Sequence, residues 1–350
     1  MDGERRMWRV ATRAVVAAGG VAVFVFLSCG EPLGPVAIGW EKKATVPREY
    51  SAFQLEAVGP KGLYSIVTTE AGYQQLVTFD GSHFSVDYRT PSPDDRINGV
   101  SFRGDTGFMG VARRTYPEGY NGSLLLYKNG RWEEVFASPE YEAMSALTVD
   151  GGNSCLLLCT RKGESVVDIA RYSNGRLEVK GGLEYDFAGY SPKTHMLYTY
   201  NRFATERREI FVSGDAGATW HREVCELPPH YELKRVVGTA ASPDALYLIA
   251  WVVAADLEYF AIIRRTGQAG EGVYEFSYLG WLGPGVRETF GCAFRDVDHG
   301  MAVGLGTSMF YDAPEWLRET VDPLQSFYDL LADPRGGYWA ISRRDLVWHP

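Results

Sequence analysis

The sequence predicts an all-β chain: a seven-bladed β-propeller of four-stranded antiparallel blades, closed by an N-terminal strand that completes the last blade. Three observations carry this. Gly 39, Tyr 21, Phe 17 and Trp 9 in 350 residues favour many short strands and tight turns over long helices. A turn cluster followed by a short apolar run recurs seven times along the chain. Asn-Gly and Asp-Gly steps sit between apolar runs, which is hairpin chemistry. Apolar residues at 45% and charged residues at 23% exclude extended disorder and allow a large core. The length could serve two or three ordinary domains, but propellers reach it as one body.

In chain order, residues 1–28 come first and stand outside the fold. Arg5, Arg6, Arg9 and Arg13 precede an apolar run from Ala14 to Leu27, followed by Ser28-Cys29-Gly30. That run is short for a membrane span, which takes roughly 20 apolar residues, so a cleaved signal fits better than a single-pass anchor. Cys29 after small Ser28 resembles the lipobox of bacterial lipoproteins, with Phe26 at the position that family gives to Leu. The resemblance implies a signal peptide over 1–28, lipidation of Cys29, a short tether over 29–35 and a propeller over 36–350. It also implies an exported, lipid-anchored cell-envelope protein, in the outer membrane where one exists, because Gly30 supplies no retention signal of the Asp type.

Without residues 1–28 the chain loses four positive and two negative charges and moves from −9 to −11. An acidic body disfavours nucleic acid, which needs a basic stripe to release counterions, and leaves the lipid as the only membrane contact. Cys155 and Cys159 lie four apart in one extended run, about 13 Å from each other, beyond disulfide reach. With Cys225 and Cys292 they are read as buried free thiols, cross-strand disulfides to Cys225 or Cys292 being the alternative.

The repeat then justifies each blade. Its turns end at Gly62, Gly107, Asn153, Thr194, Asp244, Gly300 and Gly337, spaced 45, 46, 41, 50, 56 and 37 residues apart. A period of 40 to 50 residues is the mark of propeller blades. The apolar runs that follow include Leu63–Val67, Phe108–Val111, Cys155–Leu158, Leu246–Ile249 and Tyr338–Ile341. Second hairpins show at Lys128-Asn129-Gly130-Arg131, Ser173-Asn174-Gly175-Arg176 and Asp80-Gly81-Ser82-His83, all expected as type I′ turns. After the run Leu346–Trp348 the chain ends without a fourth strand, whereas Val36–Trp40 stands alone ahead of the first unit. That orphan is expected to complete the seventh sheet, so that no edge remains open.

Ser213-Gly214-Asp215-Ala216-Gly217-Ala218-Thr219-Trp220 resembles the Asp-box, Ser-x-Asp-x-Gly-x-Thr-Trp, of sialidase-type (BNR) propellers at all five fixed positions, Ser213, Asp215, Gly217, Thr219 and Trp220. The resemblance implies a structural hairpin on a blade rim. The segments Phe294–Gly304 and Val100–Val111 also resemble inner strands of the photosystem II assembly propeller family. The sialidase active site does not carry over, because Arg96-Ile97-Asn98 lacks the Pro of the Arg-Ile-Pro segment.

No nucleophile elbow, metalloprotease helix, P-loop or EF-hand loop is present. The six histidines lack metal-ligand spacing, so no metal, cofactor or catalytic residue is assigned. Propellers bind through the loops that lead into each inner strand and those joining second strand to third. Acidic residues beside aromatic ones recur in the first set, as at Tyr141-Glu142, Tyr231-Glu232 and Tyr328-Asp329. Arginines and tyrosines fill the second, and both residue types anchor recognition surfaces. Arg96, Arg114, Tyr116, Glu142, Asp186, Tyr200, Arg202, Arg207, Glu232 and Arg343 form the expected ligand-binding face. The expected function is a monomeric, non-catalytic binding or scaffold module for a protein or glycan. The alternative is a divergent propeller-type glycoside hydrolase or lyase using loop carboxylates.

Overall fold

In the computed structural model, each turn-plus-apolar repeat becomes the hairpin between the first and second strands of a four-stranded antiparallel sheet. The structure describes residues 39–151, 153–164, 167–183, 186–191, 193–200, 209–255, 257–281, 287–305, 307–313, 315–319, 327–342 and 344–350, with 151, 183, 186–188, 235, 281, 287–290, 305, 307 and 318–319 described by backbone alone. Cys29 and the expected signal and tether lie outside them. There are seven sheets, arranged as the blades of a β-propeller. Blade 1 runs Tyr50–Gly59, Gly62–Thr69, Gln74–Phe79 and Phe84–Arg89 from the axis outward, and blades 2 to 6 repeat this order. No helix long and apolar enough to cross a membrane occurs among the described residues.

Blade 7 is composite. Phe327–Ala332, Tyr338–Ser342 and Asp345–His349 supply three strands, and Glu41–Thr45 adds the outermost, antiparallel to Asp345–His349. Lys42 Nζ lies 2.8 Å from Asp345 Oδ1, and Thr45 Oγ1 donates to the same oxygen at 3.0 Å. Closure by an N-terminal strand therefore holds through Glu41–Thr45; of the expected Val36–Trp40, residues 36–38 lie outside the described residues, and Trp40 is not part of the strand. Trp40 acts instead as a plug. It is 1% exposed, packs against Phe327 with the rings tilted and centroids 4.8 Å apart, and donates Nε1–H to Ser308 Oγ at 3.2 Å in blade 6. An aromatic body with one polar tip suits such a buried joint.

The core is divided among the blade junctions. Seven clusters of buried side chains sit each between two neighbouring blades, for example Tyr64, Ile66 and Leu76 of blade 1 against Ile97, Met109 and Val111 of blade 2. A flat sheet is apolar on both faces here because each face meets a neighbour. The junctions are tight: a Cβ on Gly110 would stand 1.8 Å from the Met144 carbonyl oxygen of blade 3, so only glycine fits.

Asn129 (φ 55°) with Gly130 (φ 81°), and Asn174 (φ 50°) with Gly175 (φ 82°), take the positive φ values of type I′ turns. The Asp80-Gly81 loop differs: only Gly81 has positive φ, and Asp80 Oδ1 accepts the Ser82 and His83 N–H groups at 2.8 and 2.9 Å. An Asx-type loop replaces the expected type I′ turn because the aspartate side chain takes over the hydrogen bonds. None of Cys155, Cys159, Cys225 and Cys292 is disulfide-bonded. Burial pushes the Cys159 thiol up to about 12 and those of Cys155 and Cys292 higher still, so these thiols are protonated and unreactive at neutral pH.

Candidate binding face

One end of the ring carries the connections into the inner strands together with those between second and third strands. In blade 2, Asp95, buried at the start of the inner strand, accepts the Arg114 N–H at 2.8 Å on Oδ1 and faces Arg113 Nη1 at 3.7 Å. Arg113 also donates to Glu134 at 3.1 Å. Arg96 donates to the Pro93 and Asp95 carbonyls at 2.8 and 3.2 Å, and the Arg114 guanidinium lies 5.0 Å above the Tyr120 ring. Tyr116, at the loop tip, is 89% exposed.

Of the ten predicted residues, Arg96, Arg114 and Tyr116 share this blade. Glu142 is half-buried on the inner strand of blade 3, and exposed Glu232 begins that of blade 5. Asp186 begins the inner strand of blade 4 opposite half-buried Tyr200. Arg202, Arg207 and Arg343 lie outside the described residues. The described members are thus spread over four blades rather than gathered in one recess.

Among the described residues, a recess on this face lies elsewhere, at the seam where blade 7 meets blade 1. A cavity of about 210 Å³ opens there, lined by Val46, Tyr50, Ser51, Ala52, Phe53, Tyr328, Ile341 and Arg344. Val46, Tyr50 and Ile341 are buried walls, whereas Tyr328 is 55% exposed. Tyr328 is the extra residue of a β-bulge between Phe327 and Asp329, which turns its side chain out of the ladder. Arg344 Nη2 donates to the Pro47 and Tyr50 carbonyls at 2.8 and 3.1 Å, fixing the exposed guanidinium at the mouth.

Behind this pocket the same two inner strands carry a pair of carboxyl groups. Asp329 Oδ2 accepts the Leu55 N–H of blade 1 at 2.7 Å, and its Oδ1 accepts that of Leu330 at 2.9 Å. Glu56 Oε2 accepts the Val100 N–H of blade 2 at 3.3 Å. Burial raises Asp329 to about 6 against its hydrogen bonds. Burial, with the Asp329 charge adding to it, raises Glu56 to about 7. Asp329 ionises first and its charge then holds the proton on Glu56. No basic group enters either shift. Glu56 is itself a bulge residue between Leu55 and Ala57, so the alternation of the strand does not reveal its direction.

The Ser213–Trp220 hairpin lies at the opposite end of blade 4. Asp215 Oδ1 accepts the Ser213 hydroxyl and the Thr219 N–H, both at 2.8 Å, and Oδ2 accepts the Thr219 hydroxyl at 2.7 Å. Burial works against the charge there, but these hydrogen bonds outweigh it and hold the carboxyl below its ordinary range. Gly217 (φ 93°) presses on Ile169 of blade 3, where a Cβ would approach to 2.5 Å. Trp220 packs with Leu156, Ile169 and Leu197 at the same junction. Among the described residues, no group of three or more His, Cys, Asp or Glu side chains is placed to hold a metal ion.

No protein-family model matches the chain, and no curated protein matches it by sequence. Solved structures do. One described as YCF48 bound to D1 peptide superposes with a TM-score of 0.57 at 15% identity, covering 89% of this chain and 96% of that one. YCF48 from Cyanidioschyzon merolae gives 0.53 at 12%, covering 90% and 98%. A streptogramin B lyase gives 0.53 at 12%, covering 88% and 96%. At these identities the likeness establishes the fold alone. The YCF48 structures are photosystem II assembly propellers, the family that the Phe294–Gly304 and Val100–Val111 segments resemble.

Proposed function

We propose that this chain is a non-catalytic binding module that docks a protein partner on its loop face. The carrying observation is the seam recess, with apolar walls, an exposed tyrosine and an arginine pinned at its mouth. YCF48, with the same fold, is described bound to a D1 peptide, which supports a peptide or protein as the ligand class. The enzymatic alternative gains little from Glu142 and Glu232. They stand on blades 3 and 5 with blade 4 between them, whereas glycoside hydrolysis needs two carboxyl groups about 5 to 10 Å apart. A photo-crosslinking residue placed at Tyr116 or Tyr328 is expected to yield a discrete protein adduct in the native envelope. One at Gly81, on the opposite end of blade 1, is expected to yield none. Equal adducts from both ends would refute the assignment of the face.

In the same reading the Ser213–Trp220 hairpin is a BNR-type repeat used structurally. Residues 1–28 are a lipoprotein signal, and the monomer is held in the cell envelope by lipid on Cys29. Cys29→Ser is expected to abolish incorporation of an alkynyl fatty acid and to move the protein from the membrane to the soluble fraction. Retention of the label in that variant would remove the anchor.

A further inference from the structure

The seam recess is small. Sites for drug-sized ligands run from about 300 to 1,000 Å³, and this one measures about 210 Å³, the scale of one large side chain rather than a cofactor or an oligosaccharide. Its lining is mixed. Val46, Ala52, Phe53 and Ile341 are apolar, while Tyr50, Ser51, Tyr328 and Arg344 carry the polar groups, and the Ser51 hydroxyl already donates to the Thr68 carbonyl at 3.1 Å. Sugar rings need several convergent polar groups, whereas apolar walls with an aromatic at the lip suit a hydrophobic anchor.

Arg344 sets the second requirement. Its two hydrogen bonds go to carbonyls, which orient the guanidinium but do not neutralise it, and it makes no ion pair among the described residues. Arginines on blades 2 and 3 are matched differently: Arg113 meets Asp95 and Glu134, and Arg161 meets Asp168, whereas Arg96, like Arg344, is held by carbonyls. In a chain of net charge −9, a fixed cation at the lip of an apolar recess selects for a carboxylate on whatever enters.

We propose that the blade 7–blade 1 recess takes a single large apolar side chain of the protein partner, with an acidic residue next to it pairing with Arg344. This rests on the reading of the loop face as a protein-binding surface and narrows it to one anchor motif. The face is read in order from the recess outward: Leu, Ile, Phe or Trp fills the cavity beside Tyr328, and Asp or Glu within two positions reaches Nη1 of the guanidinium, whose Nη2 is held by the Pro47 and Tyr50 carbonyls.

A random peptide library displayed on phage and selected on the full-length chain tests this. The expected outcome is enrichment of a large apolar residue with Asp or Glu within two positions. A synthetic peptide of that sequence should lose at least tenfold in affinity against Ala52→Trp, which blocks the exposed lip without touching the buried walls. Arg344→Gln should cost about fivefold, and replacing the peptide's Asp by Asn should weaken binding to the wild type but not to Arg344→Gln. Thermal melts of both variants matching the wild type verify folding. Peptides without the motif, no enrichment, or equal affinity for Ala52→Trp would overturn the proposal. If binding survives Ala52→Trp but is lost with Arg114→Ala and Tyr116→Ala, the face stands and the recess falls. If it survives both, the face falls as well.

Discussion

Raising the pH from 5 to 8 should weaken the ring, and the effect should originate at Glu56 and Asp329. Both carboxyls have folded-state values above their ordinary ones, about 7 against 4.5 and about 6 against 3.8. A raised carboxyl stabilises the fold while it is protonated. Its contribution is complete below about pH 4 and is lost as the pH climbs through 6 and then 7. Each shift corresponds to about 3 kcal/mol at 1.36 kcal/mol per pH unit. The two do not add fully, because part of the Glu56 shift is the charge on Asp329, and the loss has begun by pH 5, so about 2 to 4 kcal/mol is expected between pH 5 and 8. For a chain of this size that is a fall in melting temperature of roughly 3 to 6 °C. The assay is thermal and urea unfolding of wild type, Glu56→Gln, Asp329→Asn and the double variant between pH 5 and 8. Gln and Asn keep an oxygen for the Val100 and Leu55 N–H groups but cannot ionise. The double variant should therefore hold its midpoint across the range in which the wild type declines. A wild-type midpoint that is flat or rises, or a double variant as steep as the wild type, would refute the reasoning.

Two further outcomes follow from other contacts. Arg265 is 0% exposed and bidentate to Glu223 at 2.5 and 3.0 Å, while Glu223 also accepts from Tyr274 and Gly270. Arg265→Met should cost about 3 to 5 kcal/mol, read as a lowered urea midpoint, because it strands a buried carboxylate; a loss below 1 kcal/mol would mean that water reaches the pair. Trp40→Ala should cost about 3 to 5 kcal/mol, and limited proteolysis should then cut within Glu41–Thr45 before any blade is degraded. Cleavage elsewhere first would show that Trp40 does not hold the closing strand.

How much of this was legible depends on the range of the interaction concerned. The seven first hairpins could be read because each is written in adjacent residues, turn former then apolar run, and a period of about forty-five repeats it. Asn129-Gly130 could be read for the same reason, while Asp80 could not: its side chain competes with the backbone in a way that dipeptide preference does not reveal. Trp40 and the neighbouring strand were misassigned by a few residues. Val36–Trp40 is the more apolar stretch, but an outer strand needs little apolar content, and Glu41-Lys42-Lys43-Ala44-Thr45 pairs through backbone and charge. The carboxyl pair was out of reach. Asp329 appeared among the loop acids, but Glu56 is 273 residues away in the chain, and ring closure alone brings them together. The seam recess has the same origin, since its walls come from both ends of the sequence.

That junction also imposes a schedule on biosynthesis. Glu41–Thr45 is made about 300 residues before Asp345–His349, its hydrogen-bonding neighbour. At about 5 to 20 residues per second, the interval is roughly 15 to 60 s. Throughout it the early segment has no mate, and blades that have already condensed remain an arc with a raw end. Every molecule cut short before Asp345–His349 stays in that state. The wall of the recess and the closure of the ring are thereby the same event, and only a chain made through Arg344 can present the site.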